Sequence, residues 1–157
     1  TTTTTQPTTT VPPLPVPEPP PPARAAEPRI ELGTFRIPKL GLDTTLLKGV
    51  SLTVLDQGPG HWPGTADPGG WGNTVVSAHR TSHGGPFRHL DRLEPGDEVH
   101  FDIDGVTHTY VVTGGEIVDP YALRIIDQKP GRTLTMFACH PVGSTAERIV
   151  VYGELRT

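Results

Sequence analysis

Sulfur is scarce in this 157-residue chain: there is one cysteine, Cys139, and one methionine, Met136. A lone cysteine closes no internal disulfide and builds no cysteine-rich metal site. Taken by itself, it is a small buried hydrophobe. Basic charge is also sparse, with 13 Lys and Arg against 17 Asp and Glu and no basic run. That excludes a nucleic-acid footprint. No apolar stretch approaches the ~18 residues of a membrane span. The opening residues lack the charged-then-apolar pattern of a secretion signal. Helical periodicity is nearly absent.

What the chain does have is proline, distributed unevenly. Ten of its 19 prolines and eight threonines lie within residues 1–28. That segment has too few large apolar side chains to offset the entropy of ordering. Residues 1–29 are therefore expected to form a disordered or extended, polyproline-rich stalk. Such a stalk suits a domain held off a membrane and passing through a cell wall. Residues 30–157 are expected to form one domain with a sizeable core.

Within that domain, Gly, Pro and Asp recur at short intervals between β-type runs. The runs predict strands over 34–37, 73–78, 98–103, 106–112, 116–118, 133–139 and 148–155. Asp104-Gly105 between two alternating runs is a hairpin signal. Short helices are expected at 52–57 and 86–93, the second opening on Pro86. Many short strands with little helix indicate an all-β barrel or sandwich.

The last two strands carry a geometric expectation. If 133–139 and 148–155 pair as antiparallel neighbours, Cys139 at the end of one lies beside Arg148 at the start of the other. His79 also follows a strand, although spacing alone does not say at which rim.

A cysteine thiolate attacks a peptide carbonyl to give a thioester, which a second nucleophile resolves. A nearby histidine moves the proton. A donor to the developing oxyanion is worth on the order of 10²–10³ in rate, and the planar arginine fork suits that position.

With those residues in view, the sequence resembles the sortases, most of all their class E, actinobacterial branch. The similarity runs from about Phe35 to Leu155. It rests on Arg36-Ile37-Pro38-Lys39-Leu40-Gly41-Leu42-Asp43 and on Gly58-Pro59-Gly60-His61-Trp62-Pro63-Gly64-Thr65-Ala66. Further along it rests on Gly72–Thr81 around His79, Leu134–Pro141 around Cys139, and Glu147–Val151 around Arg148. Trp62 stands where a tyrosine is more usual, Ala78 where a glycine is, and Ala138 where the family has a threonine.

The resemblance implies an eight-stranded sortase-type β-barrel with one or two short helices, and a catalytic set of Cys139, His79 and Arg148. It implies cleavage after Thr in a C-terminal sorting signal of the LPXTG type, LAXTG in class E. The acyl group then passes to an amine of a peptidoglycan precursor or another amine nucleophile. The partners are surface proteins bearing that signal. The enzyme is expected to be a monomer outside a Gram-positive, actinobacterial cell, held on the extracellular membrane face by an N-terminal anchor that this chain lacks. No cofactor is expected. No metal is expected either, because the calcium-binding loop of class A sortases is not found.

Substrate contacts are expected from Ala138, His140, Ser82, His83, Leu123 and Ile125, with Ile126 beside them in the floor that takes the signal's leucine. Segment 140–147 is expected to cover or gate the groove. Strand alternation turns the His140 ring away from its neighbour, leaving its backbone N–H as an oxyanion donor. Two other readings exist. His79 and His83, four apart, are metal-ligand types with Cys139 and His140, but they sit in a loop sequence without the glutamate of a zinc-protease motif. A silent sorting-signal-binding module on the same scaffold is the other, favoured by Ala138.

Overall fold

A computed structural model of the chain describes residues 12–140 and 146–156, without the side chains of Cys139 and His140. Eight strands close into a barrel: β1 (Glu31–Ile37), β2 (Leu42–Lys48), β3 (Gly60–His61), β4 (Gly72–Ser77), β5 (Glu98–Ile103), β6 (Val106–Val118), β7 (Arg132–His140) and β8 (Glu147–Leu155). Around the barrel the order is β1-β2-β3-β4-β7-β8-β6-β5. The β2–β3 and β4–β7 pairs are parallel and the other pairs antiparallel.

The expected hairpin forms between β5 and β6. Asp104 and Gly105 both take positive φ, +50° and +80°, as a tight turn matched to strand twist requires. The expected strands 106–112 and 116–118 are one continuous strand, β6, with a bulge between Val112 and Gly114. The two glycines at 114 and 115 read as a break, yet they only bend the strand. Strands β2 and β3 were not expected. Thr44 and Thr45 interrupt the apolar pattern of β2, and β3 is only two residues long.

The expected helix at 52–57 is one turn, α1 (Leu52–Leu55), capped by the Ser51 hydroxyl on the Val54 N–H. The helix expected over 86–93 does not form. Turns lead there into a single 3₁₀ turn at Leu90–Arg92, because Phe87 and Leu90 are both drawn into the barrel core.

Inside the barrel, Phe35 meets Phe101 at 5.0 Å and Phe87 at 5.9 Å, and Phe101 stands edge-on to Tyr110 at 5.5 Å. A second apolar cluster lies outside the wall and joins Trp62, Val75, Val118, Ile125, Ile126 and Val150. Every residue of β4 is therefore buried, covered on both faces, which is why its sequence shows no apolar–polar alternation.

Asn73 ties the segment after β6 to this wall. Its Nδ2 donates to the Ile125 and Asp127 carbonyls at 3.1 and 3.3 Å. Its Oδ1 accepts from the Thr133 and Thr135 hydroxyls at 3.1 and 2.9 Å. The 3₁₀ turn Leu123–Ile126 is held a second time from outside. Arg124 donates to both Glu116 oxygens, and Tyr152 donates to Glu116 at 2.6 Å. Arg124 first, then Tyr152, hold the Glu116 carboxyl down at about 2 from an ordinary 4.5.

Two outcomes follow for this wall. Asn73→Ala strands buried polar partners, so urea unfolding should show a loss of about 1–3 kcal/mol. The Glu116 anchor works in the opposite sense to a raised group. Its contribution is complete above the ordinary value and disappears as pH falls from about 4.5 to about 2. A side-chain NMR titration should place the Glu116 midpoint near 2, and Arg124→Met should move it upward.

Candidate active site

Six residue pairs hold β4 parallel to β7, the last being Ser77 with Phe137. Two residues beyond Ser77 comes His79, and two beyond Phe137 comes Cys139. The parallel pairing therefore brings both to the same rim, which spacing alone left open. On the other side of β7, Cys139 pairs with Arg148 and His140 with Glu147 in the antiparallel register. The expected neighbourhood of Cys139 and Arg148 is thus met by the backbone. Of the segment 140–147, expected to cover or gate the groove, residues 141–145 lie outside the described residues, as do the side chains of Cys139 and His140.

His79 is fixed from both its backbone and its ring. Its carbonyl accepts the Phe87 N–H at 3.1 Å. Its Nε2 lies 2.8 Å from Asp56 Oδ1. An ionised carboxylate only accepts, so Nε2 carries the proton and Nδ1 is the nitrogen left for proton exchange. The His83 ring stacks on His79 at 5.2 Å, with its Nδ1 3.4 Å from the same Asp56 oxygen. The other Asp56 oxygen accepts from Arg24 at 2.6 Å. Arg24, then His79, hold the Asp56 carboxyl below its ordinary value.

The loop after His79 is pinned by buried Arg80, which donates to the Arg88 carbonyl at 2.8 Å and to Asp91 at 3.1 Å. His61 makes the contrast. It is buried, donates to the Ala66 carbonyl at 2.8 Å, and is pushed by burial below the ordinary histidine value. It serves packing.

Donor atoms of Asp56, His79 and His83 lie within 4.8 Å of one another, a spacing compatible with a cation. The Arg24 guanidinium pairs with the same carboxylate at 2.6 Å. Arg148 donates to the Glu147 carbonyl at 3.0 Å.

The groove runs over the outer face of β4 and β7. One cavity of about 380 Å³ is walled by Tyr121, Leu123, Ile125 and Ile126 on one side and by Trp62, Phe137 and Arg148 on the other. A second, of about 240 Å³, reaches His79, Ala138 and Arg148 past Leu52 and Leu55. Leu123, Ile125 and Ile126 thus line the groove together. Ala138 touches it from the barrel core. Ser82 is exposed, accepts the Gly85 N–H, and lies outside both linings. His83 reaches the site through its contact with His79 rather than through the groove.

Sequence reasoning missed Asp56 and Arg24, which are brought in from α1's C-cap and from the proline-rich segment. Nothing in a single carboxylate after Leu55 marks it. The only signal was a histidine in need of an orienting partner.

A sequence profile described as Sortase domain matches residues 35–156. Sortase SrtE1 of Streptomyces coelicolor is 30% identical over 145 residues, covering 82% of this chain and 41% of that protein. Sortase D of Bacillus subtilis is 29% identical over 126 residues, covering 78% and 62%. The chain thus spans between 41% and 62% of the length of these relatives. Among solved structures, sortase E1 from Streptomyces coelicolor with a tripeptide in the active site matches with TM-score 0.77 at 28% identity, over 81% of this chain and 88% of that one. Sortase E from Streptomyces avermitilis matches with TM-score 0.72 at 33% identity, over 81% and 88%. The matched region contains β4, β7 and β8 with His79, Cys139 and Arg148, and on this agreement of sequence and barrel the chain belongs to the sortase family.

Proposed function

We propose that this chain is a cysteine transpeptidase that cleaves a C-terminal sorting signal of the LPXTG type, LAXTG by its class E likeness, after threonine. The observation that carries the reading is the meeting of three strand ends: β4 and β7 in parallel register, and Cys139 opposite Arg148 across β7 and β8. Family membership supports the same chemistry.

In this reading the Cys139 thiolate attacks the threonine carbonyl carbon and forms an S–C bond. Arg148 holds the developing oxyanion with its planar fork. His79 gives its Nδ1 proton to the departing amine as the Thr–Gly bond breaks. An incoming amine, from a peptidoglycan precursor or another acceptor, then attacks the thioester. Its proton returns to Nδ1, and the thiolate leaves. Throughout, Asp56 keeps the other ring nitrogen protonated and the imidazole turned the same way. Asp56 is therefore a positioning residue.

The signal's leucine is assigned to the floor of Leu123, Ile125 and Ile126. The backbone N–H of His140 is assigned to the oxyanion, and Ala138, Ser82 and His83 to the substrate's surroundings. By the same likeness we assign the enzyme, as a monomer, to the outer membrane face of a Gram-positive cell, where it acts on surface proteins bearing the signal.

The test is incubation of the chain with an LAXTG or LPXTG peptide and an amine, reading the ligated product by mass spectrometry. The parent should ligate and Cys139→Ala should not; a Cys139→Ala protein that still cleaves sinks the reading. No product with the parent on either peptide would leave a silent signal-binding module instead. Asp56→Asn should lower kcat about 10²-fold, since an amide no longer dictates which ring nitrogen is protonated.

A further inference from the structure

The groove is already occupied by this chain's own proline-rich segment. The Trp62 indole N–H donates to the Glu18 carbonyl at 2.8 Å, and the Glu18 N–H donates to the Pro63 carbonyl at 2.9 Å. Pro20 lines both cavities of the groove, and so do Trp62, Phe137 and Arg148. The two cavities are thus the halves of one groove with Pro20 seated between them. Pro21 reaches the half that contains His79. Beyond it, the Ala23 carbonyl accepts the Leu52 N–H at 2.7 Å, Arg24 takes the free oxygen of Asp56, and Glu27 accepts the Ser51 N–H at 3.2 Å.

The barrel is shaped to admit this segment. A Cβ built on Gly64 would stand 2.7 Å from the Glu18 nitrogen, and one on Gly72 would stand 2.9 Å from Pro15 Cδ. At Gly64 the nearest atoms all belong to the segment, so a side chain there would push it away; at Gly72 Gln128 Oε1 stands closer still, at 2.6 Å. The segment binds by the same means as an extended peptide: backbone hydrogen bonds on one edge and proline rings against aromatic walls. Polyproline conformation is preformed, so little ordering entropy opposes docking. Because it is continuous with β1, its effective concentration at the groove is in the millimolar range.

We propose that residues 15–24 are a self-docked strap that occupies the peptide groove and that an incoming extended peptide must displace. The strap covers the half-groove at His79, Ala138 and Arg148, so a reagent or substrate reaches Cys139 when the strap is off. Its apparent affinity is then the intrinsic affinity multiplied by the fraction of chains with the strap off. That the displacing peptide is a sorting signal rests on the transpeptidase reading; occlusion of the groove does not.

The experiment uses the whole chain and two strap variants, Pro20→Gly/Pro21→Gly and Glu18→Pro. The first softens the polyproline stretch, and the second removes the N–H that bonds Pro63. Both substitutions lie outside the barrel, and thermal unfolding checks that it is intact. The first readout is the rate at which iodoacetamide alkylates Cys139, the chain's one cysteine. The second is KM for a sorting peptide. The strap predicts alkylation about tenfold faster in the variants, and KM about tenfold lower with kcat unchanged. A synthetic peptide of residues 13–27, added in trans at about millimolar concentration, should slow alkylation of the variants again. Unchanged alkylation in both variants overturns the strap. Faster alkylation with no peptide turnover by any form keeps the strap and removes the transpeptidase reading.

Discussion

Parallel register between β4 and β7 is the constraint on which the site depends. From Gly72 with Arg132 to Ser77 with Phe137, the pairs do not slip. A shift of β7 by one residue would exchange its faces, turning the core residue Met136 out and the groove residue Phe137 in. Parallel neighbours end at the same rim, so a histidine just beyond one and a cysteine at the end of the other become neighbours without any contact in sequence. The antiparallel β7–β8 pair then adds Arg148 at the same place. The groove wall depends on the same register, because Asn73 at the start of β4 bonds Thr133 and Thr135 of β7 while holding the carbonyls of Ile125 and Asp127.

Electrostatics at the rim are arranged around one carboxylate. Asp56 stands between Arg24 and His79 and close to His83. It gives the His79 imidazole one protonated nitrogen and one free one, and it draws the proline-rich segment onto the groove. A group that orients the ring and also anchors an occluding segment couples access to the site with its geometry. Exposed ion pairs are weak individually. The coupling gains from the backbone bonds at Glu18 and Ala23, which hold the same segment at two further points.

Much of the fold could be read from the sequence because its strands are rich in β-branched and apolar residues and are bounded by Gly, Pro and Asp. The Asp104-Gly105 turn, the β5–β6 hairpin and the pairing of β7 with β8 follow from local pattern and loop length. Strands β2 and β3 did not stand out. Threonines interrupt the first, and the second, of two residues, exists only because β2 and β4 flank it. The region 86–93 looked helical, but Phe87 and Leu90 are used as core residues, and tertiary packing overrode the local preference.

At the site, Cys139, His79 and Arg148 were named from motif order. Leu123 and Ile125 were named from their apolar character in a loop. Asp56 and Arg24 had no such signal, because their partners are 23 and 32 residues distant along the chain. Ser82 was placed near the site by sequence proximity to His79. Ser82 is exposed and lies outside the linings of both cavities, while His83 stacks on His79.

The central claim is that Cys139 carries an acyl group at this rim. The most direct measurement is intact-protein and peptide-mapping mass spectrometry after mixing the chain with an LAXTG or LPXTG peptide and no amine. The account predicts a mass increase equal to the peptide through its threonine less one water, mapped to Cys139 and released by hydroxylamine. Cleavage of the peptide with no adduct on Cys139, or an adduct on another residue, would contradict it.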